Sequence, residues 1–356
     1  MALLQTTIPD YRAGIISALR ERYGRRLLIL TGEDGFEATI RLANADPELV
    51  LLRNVYIAHR RLLWQRESVR RLLRPDVVVL ELNPRVLSSW AILALRRLRG
   101  KPTVLWGHAW PRSGSDSRTD RVRDAMRRLA SAIVVYTDTQ ARELSVRMPG
   151  SLIRSAPNGM YSAELAVAAT DARTARDVLY VGRLVGTKKP RLLLDAFLAA
   201  LPSLPDDACL VFVGDGDLRD ELEHAVGVAG ALRRVRFEGK VSDFESLRVL
   251  YGNALISVSP GYVGLSLIQS LWFGVPMIIA RDEPHSPEIE AAHPGANAIF
   301  VPSDSTADLR DAIVAVFGNR EQWVARGPAI ARACVESYSV ESTVGSIVDV
   351  IEALRS

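Results

Sequence analysis

The apolar residues of the chain fall into short continuous runs, separated by segments in which apolar residues recur at helical spacing. The runs cover residues 27–30, 77–80, 103–106 and 132–136 in the first half, and 178–181, 209–213, 235–238, 254–258 and 277–280 in the second. Continuous runs are typical of strands in a sheet that is covered on both faces. Helical segments at 189–201, 217–228 and 307–317 predict βαβ units and hence parallel sheets.

Length and composition favour two such domains. The chain has 356 residues, of which 48% are hydrophobic and 24% charged, as in ordinary soluble globular proteins. A turn signal at residues 156–159 is followed by a weakly apolar helical stretch at 164–177. We therefore predict an N-terminal domain over 1–165, a second domain over 166–340 and a C-terminal helix over 341–356 that packs back toward the first. The expected architecture is two doubly wound, Rossmann-like α/β domains facing a central cleft, with ligands beyond the carboxyl ends of the strands.

The two halves of the chain carry opposite charge. Residues 1–160 hold 27 Lys and Arg against 15 Asp and Glu, a net charge of +12, whereas the remainder carries −8. Residues 59–74 read as an amphipathic basic helix, and a second cluster, which ends another helix, comprises Arg96, Arg97, Arg99 and Lys101. These residues predict either an ordinary solvated cationic face or attachment to an anionic membrane surface. No nucleic-acid-binding module is recognisable, so nucleic acid is not an expected partner.

Cysteine use and hydropathy bear on the compartment. The two cysteines, Cys209 and Cys334, have no metal-ligand spacing, which predicts a reducing compartment and no zinc site. No apolar run is long enough to span a bilayer, and the N-terminus lacks the pattern of a secretion signal. The expected location is the cytoplasm, with peripheral attachment to the inner face of the plasma membrane as an alternative.

A basic loop follows the first predicted strand of the second half. Gly182 and Arg183 come directly after this strand, and Lys188 follows five residues after the arginine, just before a helix. Two cations at one strand end suit a diphosphate, which arginine binds bidentately and lysine binds as a point charge. The alternative is a surface loop with ordinary basic residues.

An Asp-Gly-Asp sequence at 215–217 ends the next strand. It spells a possible metal–diphosphate clamp, but its position in a tight turn at a helix start favours a helix cap by Asp217. We therefore expect no metal.

A glycine-rich loop lies between the strand at 254–258 and a helix. Its sequence allows the backbone N–H groups of Gly264 and Leu265 to face an anion at the helix N-terminus. Gln269 lies one turn further along and is placed to hydrogen-bond a ribose hydroxyl, although a solvated helix residue is an equal interpretation.

A histidine ends a strand of the first half. His108 follows the run at 103–106, which places it at a strand carboxyl end and predicts a role in the cleft, where an imidazole can stabilise a leaving oxygen. Packing beside Trp106 and Trp110 is the alternative.

Taken in order, these motifs resemble the nucleotide-sugar domain of retaining glycosyltransferases of glycosyltransferase family 4, which have the GT-B fold. The resemblance covers about residues 176–320 and extends weakly to residues 8–12, 106–108 and 157–159. It implies that Arg183 and Lys188 bind the diphosphate and that His108 contacts the donor sugar near the reacting carbon. The other donor-binding positions that it implies are Gly182, Lys240, Val241, Gly261, Gly264, Leu265, Gln269, His285 and Glu288.

The chain departs from the family at its signature. The family has two glutamates eight positions apart, the first for the donor sugar and the second for the ribose; here these positions are Gly261 and Gln269. An amide still hydrogen-bonds a diol, less strongly than a carboxylate. Glycine offers no side chain, so another group must recognise the sugar.

The resemblance implies a retaining, metal-independent hexosyltransferase without a cofactor. It would move a sugar from a UDP- or GDP-sugar to a glycan or lipid-linked acceptor in bacterial cell-surface polysaccharide synthesis. The acceptor would attack from the face that the diphosphate leaves, and the leaving phosphate would take its proton. The alternatives are a catalytically inactive partner of a true glycosyltransferase and a nucleotide-sugar epimerase with the same fold.

Overall fold

The computed structural model describes residues 1–36, 48–111, 119–166 and 175–355. The chain divides into two compact units. Unit 1 comprises Met1–Ser162 and Tyr338–Ser356, and unit 2 comprises Ala163–Ser337. The helical stretch expected at 164–177 falls mostly on residues 167–174, which lie outside the described residues.

Unit 1 contains a parallel sheet whose inner strands are buried on both faces. Its strands, with a separate hairpin, are β1 (Ala2–Gln5), β2 (Leu28–Gly32), β3 (Val50–Leu52), β4 (Asn54–Ile57), β5 (Leu62–Gln65), β6 (Val78–Glu81), β7 (Thr103–Trp106), β8 (Ala132–Val135) and β9 (Leu152–Ser155). The sheet has the order β3-β2-β1-β6-β7-β8-β9, and β4 and β5 form the antiparallel hairpin. Leu3 and Leu4 are both buried but belong to different apolar clusters, because successive side chains point to opposite faces of the sheet. This double burial explains the continuous apolar runs.

Helices connect these strands. Those of unit 1 are α1 (Ala13–Tyr23), α2 (Ser68–Leu72), α3 (Leu87–Leu98), α4 (Asp120–Arg127) and α5 (Asp138–Arg147).

Unit 2 repeats the same arrangement. Its strands are β10 (Asp177–Val181), β11 (Leu210–Val213), β12 (Val235–Gly239), β13 (Ala254–Ser259), β14 (Met277–Ala280) and β15 (Ala298–Val301). Its helices are α6 (Pro190–Ala200), α7 (Arg219–Val228), α8 (Phe244–Asn253), α9 (Leu265–Trp272), α10 (Thr306–Gly318) and α11 (Arg320–Tyr338). The last residue of α11, Tyr338, is also the first residue of the C-terminal segment that belongs to unit 1. The parallel order β12-β11-β10-β13-β14-β15 is doubly wound, so the chain changes direction between β10 and β13.

The last helix, α12 (Val340–Ala353), completes the core of unit 1. Val340 N donates to Tyr161 O at 3.0 Å, and Gly159 N donates to the Thr343 hydroxyl at 2.9 Å. A Cβ at Gly159 would collide with Ser339 O. The turn at 157–159 therefore serves to seat this helix.

Residues 59–74 do not form the single basic helix that the sequence predicts. Ala58, His59 and Arg60 adopt left-handed backbone angles (φ 52°, 53° and 60°), which turn the chain from β4 into β5. The helical part is limited to α2. Three consecutive non-glycine residues rarely adopt left-handed backbone angles, so nothing in the residue types indicates a turn here. The apolar spacing of the segment also fits a helix.

Arg96 is a structural residue rather than a surface cation. Its side chain is fully buried at the end of α3, where it donates to the carbonyls of Leu72, Pro75, Asp76 and Pro102. The expected basic cluster at 96–101 therefore presents fewer cations to solvent than its sequence suggests. In the described part of the chain, no helix is both long and apolar enough to cross a membrane.

Candidate functional site

The loops that follow β10 and β13 meet at the point where unit 2 reverses its strand order. They are the basic loop (residues 182–188) and the glycine-rich loop (residues 260–264). A Cβ at Gly261 would lie 2.6 Å from Thr187 O and 3.0 Å from the carbonyl carbon of Lys188. Because these neighbours are backbone atoms, they cannot move aside as a flexible side chain does. Gly261 is therefore required for the two loops to pack together as they do here.

Lys188 anchors its side chain on the opposite loop. Its Nζ donates to Tyr262 O at 2.6 Å and lies 4.4 Å from the centroid of the Tyr262 ring. Burial, together with the nearby positive charge of Arg183, lowers the pKa of Lys188 to about 8. Among the described residues, no carboxylate lies within ion-pair distance of Lys188 or Arg183. Both positive charges are thus left uncompensated at this strand end.

The neighbouring lysine has the opposite environment. The Nζ of Lys189 lies 2.6 Å from Glu283 Oε1 and 2.6 Å from Asp304 Oδ1. Hydrogen bonds to Asp304 and Glu283 raise its pKa. Adjacent lysines therefore differ in environment: Lys189 is paired with two carboxylates, whereas Lys188 contacts a carbonyl and an aromatic ring.

Lysine acylation at varied pH tests this difference. The protein has four lysines, Lys101, Lys188, Lys189 and Lys240. Only the neutral amine is nucleophilic, so we expect acylation of Lys188 to rise through about pH 8, while Lys189 reacts only at higher pH. Peptide mass spectrometry after brief acetic anhydride treatment gives both profiles. Coincident profiles for Lys188 and Lys189 would contradict the assignment.

The turn after β11 packs against the basic loop. A Cβ at Gly216 would lie 2.5 Å from Leu184 O, and Leu184 N donates to Asp215 O at 3.0 Å. The helix cap expected from Asp217 is absent: α7 begins at Arg219, and its N-cap residue, Leu218, makes no side-chain cap bond. The Asp215 carboxylate instead accepts from Gly216 N at 2.9 Å, which holds the turn closed.

The described residues contain no group of three or more His, Cys, Asp and Glu side chains that could hold a metal ion. The expectation that no metal takes part remains a prediction.

His285 holds the glycine-rich loop in place. Its Nδ1 accepts from Val263 N at 3.1 Å, and its Nε2 lies 2.7 Å from Ala280 O. An acceptor at Nδ1 and a carbonyl at Nε2 require the neutral tautomer protonated at Nε2. Burial accordingly lowers the pKa of His285. In this structure, the predicted donor-binding histidine positions the loop.

Glu288 lies at the same edge. Ser286 Oγ donates to Glu288 Oε2 at 2.6 Å, and a Cβ at Gly264 would lie 3.1 Å from that hydroxyl oxygen. Gly264 is the N-cap residue of α9, and Leu265 is its first residue. The structure therefore brings Lys188, Gly261, Gly264, Leu265, His285 and Glu288 into one contiguous set, with Gly182 at the foot of the basic loop.

Gln269 is less accessible than the sequence suggests. Its side chain is buried, and its Oε1 accepts from Tyr251 OH at 3.3 Å. The Tyr251 ring in turn stacks on Phe273 with centroids 4.8 Å apart. The interpretation of Gln269 as a solvated helix residue is wrong, whereas a role in ribose binding stays a prediction.

Lys240 and Val241 follow β12 at the same edge of the sheet. The carbonyl of the preceding Gly239 accepts from Gly214 N at 2.7 Å, which links this strand end to the turn after β11. Lys240 is exposed and Val241 is half-buried.

His108 follows β7 in unit 1, as predicted. Its side chain is exposed, and its ring lies edge-on to Tyr136 with centroids 4.7 Å apart. Tyr136 accepts a hydrogen bond from buried Arg12, which also donates to Gln5 and packs 4.4 Å from the Trp106 ring. Burial raises the pKa of Tyr136 to about 12. His108 thus lies on a rigid polar–aromatic cluster.

Sequence reasoning missed the position of Arg12 in this cluster. An arginine normally indicates a surface position, and no local signal shows that it will be buried beside Trp106. The cluster adjoins the point where the sheet of unit 1 reverses its order between β1 and β6. There, Thr6 N donates to Glu81 Oε2 at 3.0 Å.

Residues 175–319 match the protein-family model described as glycosyl transferases group 1. One curated relative is the Campylobacter jejuni enzyme named GalNAc-alpha-(1->4)-GalNAc-alpha-(1->3)-diNAcBac-PP-undecaprenol alpha-1,4-N-acetyl-D-galactosaminyltransferase, 38% identical over 101 residues (28% of this chain and 27% of the relative). Another is the Mycobacterium tuberculosis GDP-mannose-dependent alpha-(1-6)-phosphatidylinositol dimannoside mannosyltransferase, 34% identical over 125 residues (34% of this chain and 31% of the relative). The matches therefore span about a third or less of these relatives.

Solved structures resemble the chain over nearly its full length. HepE of Anabaena in complex with UDP has a TM-score of 0.71 at 16% identity and covers 99% of both chains. The lipopolysaccharide outer core galactosyltransferase WaaB has a TM-score of 0.67 at 14% identity, also over 99% of both chains. Together with the two doubly wound units, these likenesses establish the GT-B fold.

Proposed function

We propose that this chain is a glycosyltransferase that takes its sugar from a nucleoside diphosphate donor. The observation that carries the proposal is the half-buried ammonium of Lys188, which contacts Tyr262 O of the glycine-rich loop close to Arg183. The neighbouring Lys189 is neutralised by carboxylates, whereas no carboxylate of the described residues pairs with Lys188. A diphosphate is the ligand that two uncompensated cations and a helix N-terminus accommodate. The match of residues 175–319 to the group 1 model supports the same ligand.

The chemistry follows from charge. Breaking the bond between the anomeric carbon and phosphate places negative charge on the leaving diphosphate. In this proposal Arg183 and Lys188 neutralise the charge as it develops, which is commonly the largest electrostatic contribution to such catalysis. Backbone N–H groups of Gly264 and Leu265 add fixed donors. We assign stabilisation of the leaving oxygen to His108 as well.

We propose a retaining, metal-independent reaction. The acceptor hydroxyl attacks from the face that the diphosphate leaves, the new glycosidic bond replaces the bond to phosphate, and the acceptor proton moves to the leaving phosphate oxygen. This route needs no strong protein base. Gly182, Lys240, Val241, Gln269, His285 and Glu288 complete the proposed donor site, either by contact or by positioning.

The donor and acceptor classes follow the relatives. HepE is solved with UDP, and the mycobacterial relative is named for GDP-mannose, so we propose a UDP- or GDP-sugar donor. The undecaprenol and phosphatidylinositol acceptors in the relatives' names favour a lipid-linked or glycan acceptor and a role in bacterial cell-surface polysaccharide synthesis. Such acceptors also favour work at the inner face of the plasma membrane.

A second candidate is a glycosyltransferase-like partner without activity of its own. Two observations favour it: the packing around Gly261 leaves no room for a side chain at the position of the first signature glutamate, and the oxygen of Gln269 is engaged by Tyr251. The two candidates differ in whether the protein releases nucleoside diphosphate from a sugar donor.

A donor panel separates these candidates. UDP-, GDP-, dTDP- and CMP-sugars are first ranked by the rise in melting temperature that each causes, since a ligand that binds only the folded state stabilises it. Release of nucleoside diphosphate from the ranked donors is then measured. We expect slow hydrolysis of a UDP- or GDP-sugar. Binding without turnover of any donor, with or without acceptor lipids, would favour the partner, and no binding of any nucleotide would overturn the enzyme proposal.

A further inference from the structure

The hairpin of β4 and β5 presents an apolar face that the rest of the described chain covers only in part, since Val55 and Leu62 are half-buried. Its register pairs Val55 with Trp64 and Ile57 with Leu62. Directly opposed residues of antiparallel strands share a face, as do residues two apart on one strand. These four side chains therefore line one face, on which Ile57 is 43% and Trp64 37% exposed.

The opposite face attaches the hairpin to unit 1. Leu63 and Gln65 are buried, and Gln65 Nε2 donates to Gln5 O at 3.1 Å. Leu63 N donates to Arg85 O at 2.9 Å, and Asn54 Nδ2 donates to Asp34 O at 2.6 Å. The hairpin is therefore fixed, and its apolar face is held outward.

Cations border this face at both ends. Arg66 N donates to Arg53 O at 3.1 Å, so the ladder continues by one pair. By the two-residue periodicity, Arg53 and Arg66 fall on the same side as Val55 and Trp64. Arg61 lies at the turn, and all three arginines are exposed.

The carboxylates near the hairpin are already paired. Asp34 binds Arg60 at 3.0 Å, and Glu67 binds Arg71 at 2.8 Å. Among residues that the structure describes, no carboxylate lies within ion-pair distance of Arg53, Arg61 or Arg66. The face is thus apolar at its centre and cationic at its ends.

We propose that this hairpin face docks on an anionic lipid surface. Trp64 and Ile57 would enter the boundary between headgroups and acyl chains, where indole rings are favoured, and the three arginines would pair with lipid phosphates. Four apolar side chains are far fewer than the roughly 20–30 residues that each partner contributes to a standard protein interface. A membrane needs no such area, because shallow insertion and electrostatic attraction add. This docking deepens the membrane location included in the proposed function, but the hairpin observations that carry it do not depend on the glycosyltransferase assignment.

Vesicle sedimentation tests the docking. Vesicles of phosphatidylcholine alone are compared with vesicles in which about a third of the lipid is phosphatidylglycerol. We expect binding to the anionic vesicles that weakens as salt rises. Arg66→Gln should lower the partition coefficient about five-fold, since one cation near such a surface contributes about 1 kcal/mol. Trp64→Gln should lower it about ten-fold through lost apolar burial.

The end of α3 supplies matched controls. Leu98 is 84% exposed and lies beside exposed Arg99, so this site also pairs an exposed apolar residue with an arginine but lies outside the hairpin. Leu98→Gln and Arg99→Gln should bind as the wild type does. Trp64→Phe should keep most of the binding but lose the blue shift of tryptophan emission on adding vesicles, which places residue 64 at the membrane. All substituted side chains are exposed, and far-ultraviolet circular dichroism with a melting curve confirms folding.

Three outcomes would overturn the proposal: no binding to anionic vesicles at low salt, equal losses for the hairpin and α3 variants, or a blue shift that persists in Trp64→Phe. Concentration-dependent dimerisation lost in Trp64→Gln, without vesicle binding, would assign the face to a second copy instead.

Discussion

Lys188→Gln should lower kcat/KM for the donor by about 100-fold or more, because removing one positioned charge from a developing oxyanion typically costs a factor of 10²–10³. The variant loses the cation but keeps most of the side-chain length and an N–H group that can reach Tyr262 O. Folding should be little affected, since a half-buried charge is removed rather than introduced. Nucleotide release assays and melting curves report the two effects separately.

Lys189→Gln is the matched control. Lys189 is bound by Glu283 and Asp304 and has no charge left for a ligand, so its replacement should change kcat/KM by no more than a few-fold. Its cost should appear in stability, at about 1 kcal/mol or less for a partly exposed ion pair. A loss of activity in Lys189→Gln equal to that in Lys188→Gln would refute the division of labour between the two lysines.

Gly261→Ala should destabilise the protein and displace the basic loop. The added methyl would meet Thr187 O at 2.6 Å, so the two loops must separate. Overpacking of this kind costs about 1–3 kcal/mol. Displacement of Arg183 and Lys188 should also weaken nucleotide binding by about ten-fold or more, equivalent to at least 1.4 kcal/mol. Calorimetric titration with UDP and GDP, together with thermal unfolding, measures both.

Gly227→Ala serves as the control for Gly261→Ala. Gly227 lies on the exposed side of α7, and a Cβ there meets nothing within 4 Å. Because Gly227 is the penultimate residue of α7, alanine should stabilise the helix by less than the roughly 0.5–1 kcal/mol of a mid-helix site and leave nucleotide binding unchanged. If Gly261→Ala behaved like Gly227→Ala, the close packing of the two loops would be wrong.

The sheets could be predicted from the sequence because double burial leaves a local trace. Each strand of β7, β11 or β14 must be apolar on both faces, which produces an uninterrupted run of apolar residues. β1 was not predicted, because only three of its four residues are apolar and the strand ends in Gln5, although it lies inside the sheet between β2 and β6.

The hairpin could not be predicted because its turn depends on backbone angles that the sequence does not show. The left-handed region favours glycine, yet Ala58, His59 and Arg60 occupy it. Leucines and arginines on either side recur at spacings that also fit a helix. The tertiary contacts of Leu63 and Gln65 with the rest of unit 1 decide the outcome.

The sequence indicated which loops form the candidate site, but not which partners their side chains bind. Strand ends followed by glycines and cations located the loops at 182–188 and 260–264. The sequence could not distinguish Lys188 from Lys189, since the difference comes from Glu283 and Asp304, about a hundred residues away along the chain. Likewise, the neutral state of His285 depends on the bonds to Val263 and Ala280, which only the folded loop provides.

The most direct test of a diphosphate site is a crystal structure of the protein with UDP or GDP bound. The diphosphate should lie at the N-terminus of α9, near the backbone N–H groups of Gly264 and Leu265. Lys188 Nζ should leave Tyr262 O to contact a phosphate oxygen, and the Arg183 guanidinium should contact the same group. A nucleotide bound elsewhere in unit 2, with Lys188 still on Tyr262 O and Arg183 in bulk solvent, would contradict the account.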